Sequence, residues 1–280
     1  MFVASLHRQT GDPAGFQRLQ AAFVQRNPGY RVWHARDVSR IDATESLAVF
    51  FHRGAGTVRA AREESPFAVG DVALLRPGET LATDAPFDAV LFALPFGLPR
   101  ALPTLLRPDH DPRLTDQPGG CADAPDAYRR VLLTWQEGPS GFVLRGLNTH
   151  RVRMDDSLSH YHPHDVGHDE LYLVQDARPG AAVLHSDRVD RILAADTLTR
   201  EEARSLIRRV SVATGDLVYI PRGEMHRAVA GVLAHVIAVP GFRPGGEVPL
   251  DAALQRINAR LGLAGHDSLP VHVARPTAAR

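Results

Sequence analysis

The feature that most constrains the fold of this chain is an internal repeat. Residues 70–81 align without gaps on residues 215–226, and Gly, Asp, Gly and Glu coincide between the two copies. The four residues after the shared aspartate are largely apolar in both copies, and a proline stands at the same turn. Short apolar runs that end in glycine or proline turns are typical of β-strands. The repeat therefore indicates two similar β-rich domains in tandem.

The length and composition of the chain agree with this interpretation. A chain of 280 residues accommodates two domains of about 120 residues each, which is enough to bury a core. The 44% hydrophobic and 23% charged residues are typical of a globular protein. A formal net charge of zero gives no general attraction for nucleic acid, and no apolar run approaches the length of a membrane span. We therefore expect neither nucleic acid nor a membrane as a partner.

Two features of the composition exclude whole classes of enzyme. All 32 basic residues are arginine, so no lysine is present to form a Schiff base, to anchor pyridoxal phosphate or to bind phosphate in a P-loop. The one cysteine, Cys121, excludes an intrachain disulfide and a multi-cysteine metal site. The apolar opening of the chain is interrupted by His7 and Arg8 before it reaches the length of a signal-peptide core, and we expect a cytoplasmic protein.

Metal-binding residue types are concentrated in two motifs of the second half. The first motif contains His160 and His162 and is followed by Glu170, and the second ends at His226. Residues two apart in a strand point to the same side, so His160 and His162 can both aim at one interior point. Neutral imidazole suits iron, copper, nickel or zinc, and a carboxylate offsets part of the charge of a divalent ion. Such a set leaves coordination positions of the metal open, which indicates a catalytic role for the metal.

These motifs resemble those of the cupin superfamily. His160-x-His162 followed by Glu170 is similar to the first cupin motif, and the run from Gly215-Asp216 through Pro221 and Gly223 to His226 is similar to the second at all of its fixed positions. The resemblance implies an all-β fold of two tandem cupin barrels, also called double-stranded β-helices or jelly rolls, with a few peripheral helices. It also implies one divalent metal per chain, bound by His160, His162, Glu170 and His226.

The first motif departs from the family pattern in its spacing. Family members usually place the glutamate four or five residues after the second histidine, whereas seven residues separate His162 from Glu170 in this chain. A short insertion would account for the difference. It also leaves rival ligands open, because His162 with His164 is an alternative pair and His168 could replace one histidine. We favour His160 and His162.

The predicted domain boundaries follow from the repeat and from local composition. Residues 1–105 form an N-terminal degenerate barrel, 106–127 a linker rich in proline, glycine and aspartate, 128–245 the metal-binding barrel, and 246–280 a C-terminal helix and tail. Leu81 stands in the place of His226 and cannot donate a lone pair, so the first barrel is expected to be metal-free. Helices are predicted from Asp12-Pro13 through Arg26 and from Thr199 through Arg208.

The predicted activity is that of a metal-dependent enzyme with a small-molecule substrate. Iron(II) is the favoured metal, with zinc, manganese, nickel or copper as alternatives, and the favoured reaction is that of a dioxygenase. An isomerase or lyase of a sugar acid and a non-catalytic binding protein remain as alternatives, because the fold does not choose among them. Tyr172, Arg153 and His235 are predicted to lie around the metal, although each also fits a structural role. We expect a homodimer.

Overall fold

The computed structural model describes residues 1–7, 11–61 and 63–272, and most of its regular structure is β-strand. The strands in chain order are β1 Phe2–Ser5, β2 Arg31–Asp42, β3 Leu47–Arg53, β4 Gly56–Ala60, β5 Glu63–Phe67, β6 Val72–Leu75, β7 Thr80–Ala93, β8 Leu105–Leu106, β9 Arg129–Thr134, β10 Phe142–Val143, β11 Asn148–Asp156, β12 His160–Tyr161, β13 Asp169–Ala177, β14 Ala182–Ser186, β15 Arg208–Ser211, β16 Asp216–Ile220, β17 Met225–Val239 and β18 Val248–Pro249. The helices are α1 Pro13–Arg26, α2 Val189–Leu193, α3 Arg200–Arg204 and α4 Asp251–Leu261. The prediction of an all-β architecture with a few peripheral helices is confirmed.

The strands form two curled sheets, and each sheet contains one copy of the repeat. The first sheet contains seven strands, β2 to β8, with β7 paired to β2, β3 and β4. Its interior is apolar, and Leu81 is fully buried there among aromatic side chains that include Phe51, Phe67 and Phe87. At the position that corresponds to His226, this sheet therefore supplies packing and no metal donor.

The second sheet contains eleven strands and includes the first strand of the chain. Strand β1 pairs antiparallel with β16, with Phe2 opposite Tyr219 and Ser5 opposite Asp216, whereas β9 to β18 come from the second half. The repeat predicts that residues 1–105 form the first barrel. The structure instead places residues 2–5 in the second sheet, because β1 completes the edge of β16.

A shared apolar layer holds the two sheets together. Phe50 and Phe92 of the first sheet meet Tyr219 and Ile237 of the second in one buried cluster, and Phe23 of α1 packs edge-to-face against both Phe92 and Tyr219. Burial of apolar surface of this kind is the main stabilising contribution to packing. Helix α1 therefore lies between the sheets and contacts both.

Local sequence signals account for the helices, with one correction. Asp12 caps α1 by accepting a hydrogen bond from the Gly15 backbone N–H at 2.7 Å, as the Asp-Pro start predicts. Thr199 and Glu202 form the predicted capping box, but α3 ends at Arg204. The predicted extension to Arg208 was wrong, since residues 208–211 pair with β14 as a strand.

Helix α4 packs on the segment between the two motifs. Its buried residues Leu254 and Ile257 form a cluster with Ile192 and Leu206, and with Met225 at the start of β17. Within the described ranges, none of the helices combines the length and apolarity needed to cross a membrane.

Candidate metal centre

The four side chains favoured from the sequence converge inside the second barrel. One donor atom from each of His160, His162, Glu170 and His226 lies within 4.8 Å of the others. His226 Nε2 is 3.0 Å from Glu170 Oε2, and His162 Nε2 is 3.4 Å from Glu170 Oε1. His160 faces His226 in the register of β12 and β17. All four are buried, with Glu170 the most exposed at 6%.

The backbone turns the Nε2 atom of each imidazole towards this centre. The Nδ1 atoms of His160, His162 and His226 lie 3.2, 2.9 and 3.2 Å from the carbonyl oxygens of Leu158, Gly246 and Glu224. A carbonyl only accepts, so a proton on each Nδ1 satisfies that oxygen and leaves the Nε2 lone pair for a bound metal. This is the arrangement by which outer hydrogen bonds orient metal-ligating histidines.

The electrostatics of the cluster agree with a bound cation. Burial alone would raise the pKa of Glu170, but the imidazoles of His162, His168 and His226 outweigh it and hold that pKa well below its usual range. Burial and the neighbouring His226 and His162 lower the pKa of His160, so its ring is neutral. His162 Nε2 is buried with no hydrogen-bond partner among the described residues. An anionic oxygen and an orphaned lone pair fit a divalent transition metal.

The two rival histidines occupy different positions. His164 is exposed, and its ring lies against Gly223, where a Cβ would come within 2.2 Å of it. His168 is buried beside the centre, with Nε2 3.4 Å from Glu170 Oε1 and its ring 3.8 Å from the ring of His162. His168 therefore contacts two members of the cluster without belonging to it, and His164 lies outside.

A buried polar network fixes the strand that carries Glu170. Asp169 accepts hydrogen bonds from the Arg222 backbone N–H and Nε at 2.8 and 2.9 Å, from Tyr219 Oη at 2.6 Å and from Asn27 Nδ2 at 2.6 Å. Burial opposes ionisation, but the bonds from Arg222 and Tyr219 outweigh it and lower the pKa of Asp169. Asn27 follows α1, so the N-terminal helix helps to hold the metal-binding strand.

Of the three predicted neighbours, one lies near the centre. The ring of Tyr172 is fully buried 6.2 Å from the ring of His226, and burial together with Glu170 raises its pKa well above the usual value. Arg153 points to the outer face of β11, where it pairs with Asp176 at 2.7 Å. The prediction that Arg153 lies beside the metal was wrong. Val152 and Met154 are the residues of β11 that face the interior, so Arg153 between them faces the opposite side.

His235 also lies away from the centre. It is fully buried between the two sheets, where Nε2 is 2.9 Å from the carbonyl oxygen of Gly70 and Nδ1 is 3.3 Å from Thr149 Oγ1. Its ring packs edge-to-face on Phe50 at 5.3 Å. Burial lowers its pKa to about 3, so the side chain is a neutral core histidine.

Two charged residues outside the predicted set also lie near the centre. Glu247 Oε2 is 3.8 Å from His160 Nε2, and burial together with Glu170 raises the pKa of Glu247. Arg129 lies opposite Val152 in the register of β9 and β11, and its charge partly opposes the rise that burial causes in the pKa of both Glu247 and Cys121. For Glu247, the sequence offers one signal, the Gly-Gly-Glu run directly after the barrel. For Arg129 it offers none, because only the register of the strands places this side chain on the interior face.

Comparisons with known proteins bear on the fold. Comparisons with models of protein families and with curated proteins found no match. Among solved structures, a mutant of Bacillus subtilis oxalate decarboxylase is 11% identical, with a TM-score of 0.51 over 85% of this chain and 77% of that one. Another structure of oxalate decarboxylase is 12% identical, with a TM-score of 0.50 over 89% and 79%.

A coconut allergen also has a similar fold. The coconut allergen cocosin is 11% identical, with a TM-score of 0.50 over 77% of this chain and 78% of that chain. Likeness at such low identity concerns the fold alone. The chain therefore has the two-barrel cupin fold, with a buried group of three histidines and one glutamate that can hold a metal in its second barrel.

Proposed function

We propose that this chain is an iron(II)-dependent dioxygenase that acts on a small hydroxy- or carboxylate-bearing substrate. The observation that carries the proposal is the convergence of three inward-facing imidazole Nε2 atoms and one ionised carboxylate at a buried point. An iron(II) ion held by His160, His162, Glu170 and His226 would supply the redox chemistry that couples an organic substrate to dioxygen. Manganese, nickel, copper and zinc suit the same donors, so metal identity is part of the test below.

Arg129 is the residue that we assign to recognition of a substrate carboxylate. Its Nε is buried and has no hydrogen-bond partner among the described residues, while one Nη donates to the carbonyl oxygen of Gln117 at 3.0 Å. A guanidinium with an unused donor binds a carboxylate more strongly than a solvated one does. Arg153, which was predicted to lie near the metal, is already paired with Asp176.

Residues after β17 contact the segment that carries His160 and His162. Gly246 accepts the hydrogen bond of His162 Nδ1, and Val248–Pro249 pairs with β12. The exposed ring of Phe242 packs on His168 at 5.7 Å. The carboxylate of Glu247 projects from this segment towards His160, where it can accept a hydrogen bond from a substrate hydroxyl.

The proposal is tested by loading the metal-free protein anaerobically with iron(II), manganese(II) or zinc(II), and then supplying a panel of small hydroxy acids, keto acids and sugar acids. We expect oxygen uptake matched to an oxidised product with iron alone, since zinc does not change its oxidation state. Oxygen consumption is followed with an electrode and products by mass spectrometry. An iron form that leaves every substrate and the dissolved oxygen unchanged would contradict the proposal.

An oxygen-independent lyase or isomerase is the second candidate. It is favoured by the fold-level likeness to oxalate decarboxylase and by Glu247, a carboxylate beside the centre that is placed to exchange a proton with bound substrate. The same experiment separates the two. Conversion of substrate by the manganese or zinc form without oxygen uptake or net oxidation would replace the dioxygenase with this candidate.

A further inference from the structure

The outer face of the first sheet carries a second cluster of metal-binding side chains. Donor atoms of His34, His52 and Asp88 lie within 4.8 Å of one another, on strands β2, β3 and β7. The cluster is separate from the barrel interior, since Val90 of β7 shares its face and belongs to the layer between the sheets. It is therefore unrelated to the position of Leu81, which faces the interior.

Irregularities in two strands bring these side chains together. On β3 the register shifts between Phe51 and Arg53, so His52 is the extra residue of a bulge opposite Asp88. On β2 the register shifts after Ala35, and Asp37 has a positive φ of 54°. Bulges re-aim side chains and are found preferentially near functional sites. Both bulges lie at the level of Asp88, on opposite sides of β7.

The distance between the two imidazoles suits a shared metal ion. His34 Nε2 and His52 Nε2 are 2.8 Å apart. Two nitrogens that each bind one ion at about 2.0–2.1 Å are separated by about 2.9 Å at right angles, as in tetragonal copper or nickel sites, and by about 3.3 Å in a tetrahedral zinc site, so zinc would move the two rings apart by about 0.5 Å.

The surrounding charges define what the cluster would bind. Asp88 is 1% exposed and supplies a carboxylate, which Arg53 holds in place through hydrogen bonds of 2.6 and 3.1 Å. Arg36 Nε donates to His34 Nδ1 at 3.1 Å. A metal on His34 Nε2 requires the proton on Nδ1, so Arg36 must turn away, which its exposed position permits. Arg36 therefore competes with metal.

We propose that His34, His52 and Asp88 form a second metal site, which binds a late first-row divalent ion and joins β2, β3 and β7. Two imidazoles and one carboxylate are donors that zinc, nickel and copper accept. The site would raise the stability of the first sheet progressively as the free metal concentration rises above the dissociation constant, because an ion that binds only the folded chain favours folding.

The test is a zinc titration of the metal-free full-length protein, with stoichiometry measured by calorimetry and by equilibrium dialysis. We expect two zinc ions per chain in the wild type and one in His34→Gln. A single ion in both proteins would overturn the proposal. A single wild-type ion that is lost in His34→Gln would support this site and contradict the centre at His226, so the two assignments fail separately.

Arg36→Gln tests the same proposal without removing a donor. We expect zinc to bind the second site several-fold more tightly, because a competing hydrogen bond and a positive charge are removed. Arg40→Gln is the matched control, since Arg40 lies on the same strand, is exposed and pairs with Asp42 instead. Equal zinc affinities in the two variants would rule out His34 as a ligand, even if His34→Gln failed to fold.

Discussion

Asn27 donates a hydrogen bond from Nδ2 to Oδ2 of Asp169 over 2.6 Å, and so links the end of α1 to the residue that precedes Glu170. The same amide accepts through Oδ1 from an Nη of Arg222 at 2.8 Å. Arg222 belongs to the turn that leads to His226. One side chain of the N-terminal helix thus contacts both segments that deliver ligands to the metal centre.

We expect Asn27→Ala to weaken metal binding as well as folding. The change leaves a buried carboxylate without one donor, which costs about 1–3 kcal/mol of unfolding free energy. Loss of such outer partners typically lowers metal affinity about 10-fold or more. Chemical denaturation and competition with a chelator measure the two effects. Gln20→Ala is the control, because Gln20 lies on α1 and bonds to Val32 instead of Asp169; an equal loss of metal affinity there would contradict the link.

The ligand set predicts graded effects among the histidines. His226→Ala and His162→Ala should lose most metal at this centre, because each removes one of four donors. His168→Ala should keep one metal there with affinity lowered about 10-fold, since it contacts Glu170 as an outer partner. Exposed His164→Ala should bind as the wild type does. Metal analysis after dialysis checks the series, and retention by His162→Ala with loss in His164→Ala would move the site.

Arg129 and Arg153 form a matched pair for substrate recognition. If Arg129 binds the substrate carboxylate, Arg129→Gln should raise KM for acidic substrates about 10-fold or more, with a smaller change in kcat. Arg153→Gln should leave both constants near those of the wild type, because Arg153 faces the outside of β11. Steady-state kinetics on the best substrate of the panel decides between them, and a reversed order would restore the sequence-based assignment.

His235 should make the stability of the protein sensitive to acid. Its folded pKa of about 3 lies below that of an unfolded histidine, so below about pH 6.5 the unfolded chain binds the extra proton. Stability is therefore lost as pH falls from about 6.5 towards 3, by at most about 1.4 kcal/mol per pH unit from this group. Urea denaturation at several pH values should show a shallower loss in His235→Gln.

The control for this measurement is His266→Gln, because the His266 side chain is 96% exposed. We expect its acid-dependent loss of stability to match that of the wild type. An identical slope in His235→Gln and in the wild type would mean that another buried group, such as His150 with its pKa lowered to about 3, accounts for the acid sensitivity.

The sequence predicted those parts of the molecule that depend on neighbours in the chain. Strand β6, Val72–Leu75, consists of the four apolar residues that follow the first aspartate of the repeat, and α1 begins at the predicted Asp12-Pro13 start. Both signals are local, being an apolar run between turns and a side chain that bonds three residues ahead. The motif histidines converge as predicted because each segment that carries a ligand contains a motif that can be recognised in the sequence.

Features that depend on register were beyond the sequence. Arg129 faces the interior of the second barrel and Arg153 does not, because pairing with distant strands decides which side of the sheet each side chain lies on. The cluster of His34, His52 and Asp88 requires two bulges that no local pattern announces. Similarly, α3 ends at Arg204 because residues 208–211 pair with β14. Tertiary structure therefore overrides helix propensity at this point.

The position of β1 bears on how a gene for such a duplicated chain can be rearranged. Strand β16 lies between β1 and β13, so recombination that transferred the second barrel alone would leave one side of β16 unpaired, one strand away from Glu170. An unpaired edge is prone to aggregate, and the first barrel would keep a strand with no sheet to join. Although the two halves contain copies of one repeat, the pairing of β1 with β16 means that neither half can be transferred without the other.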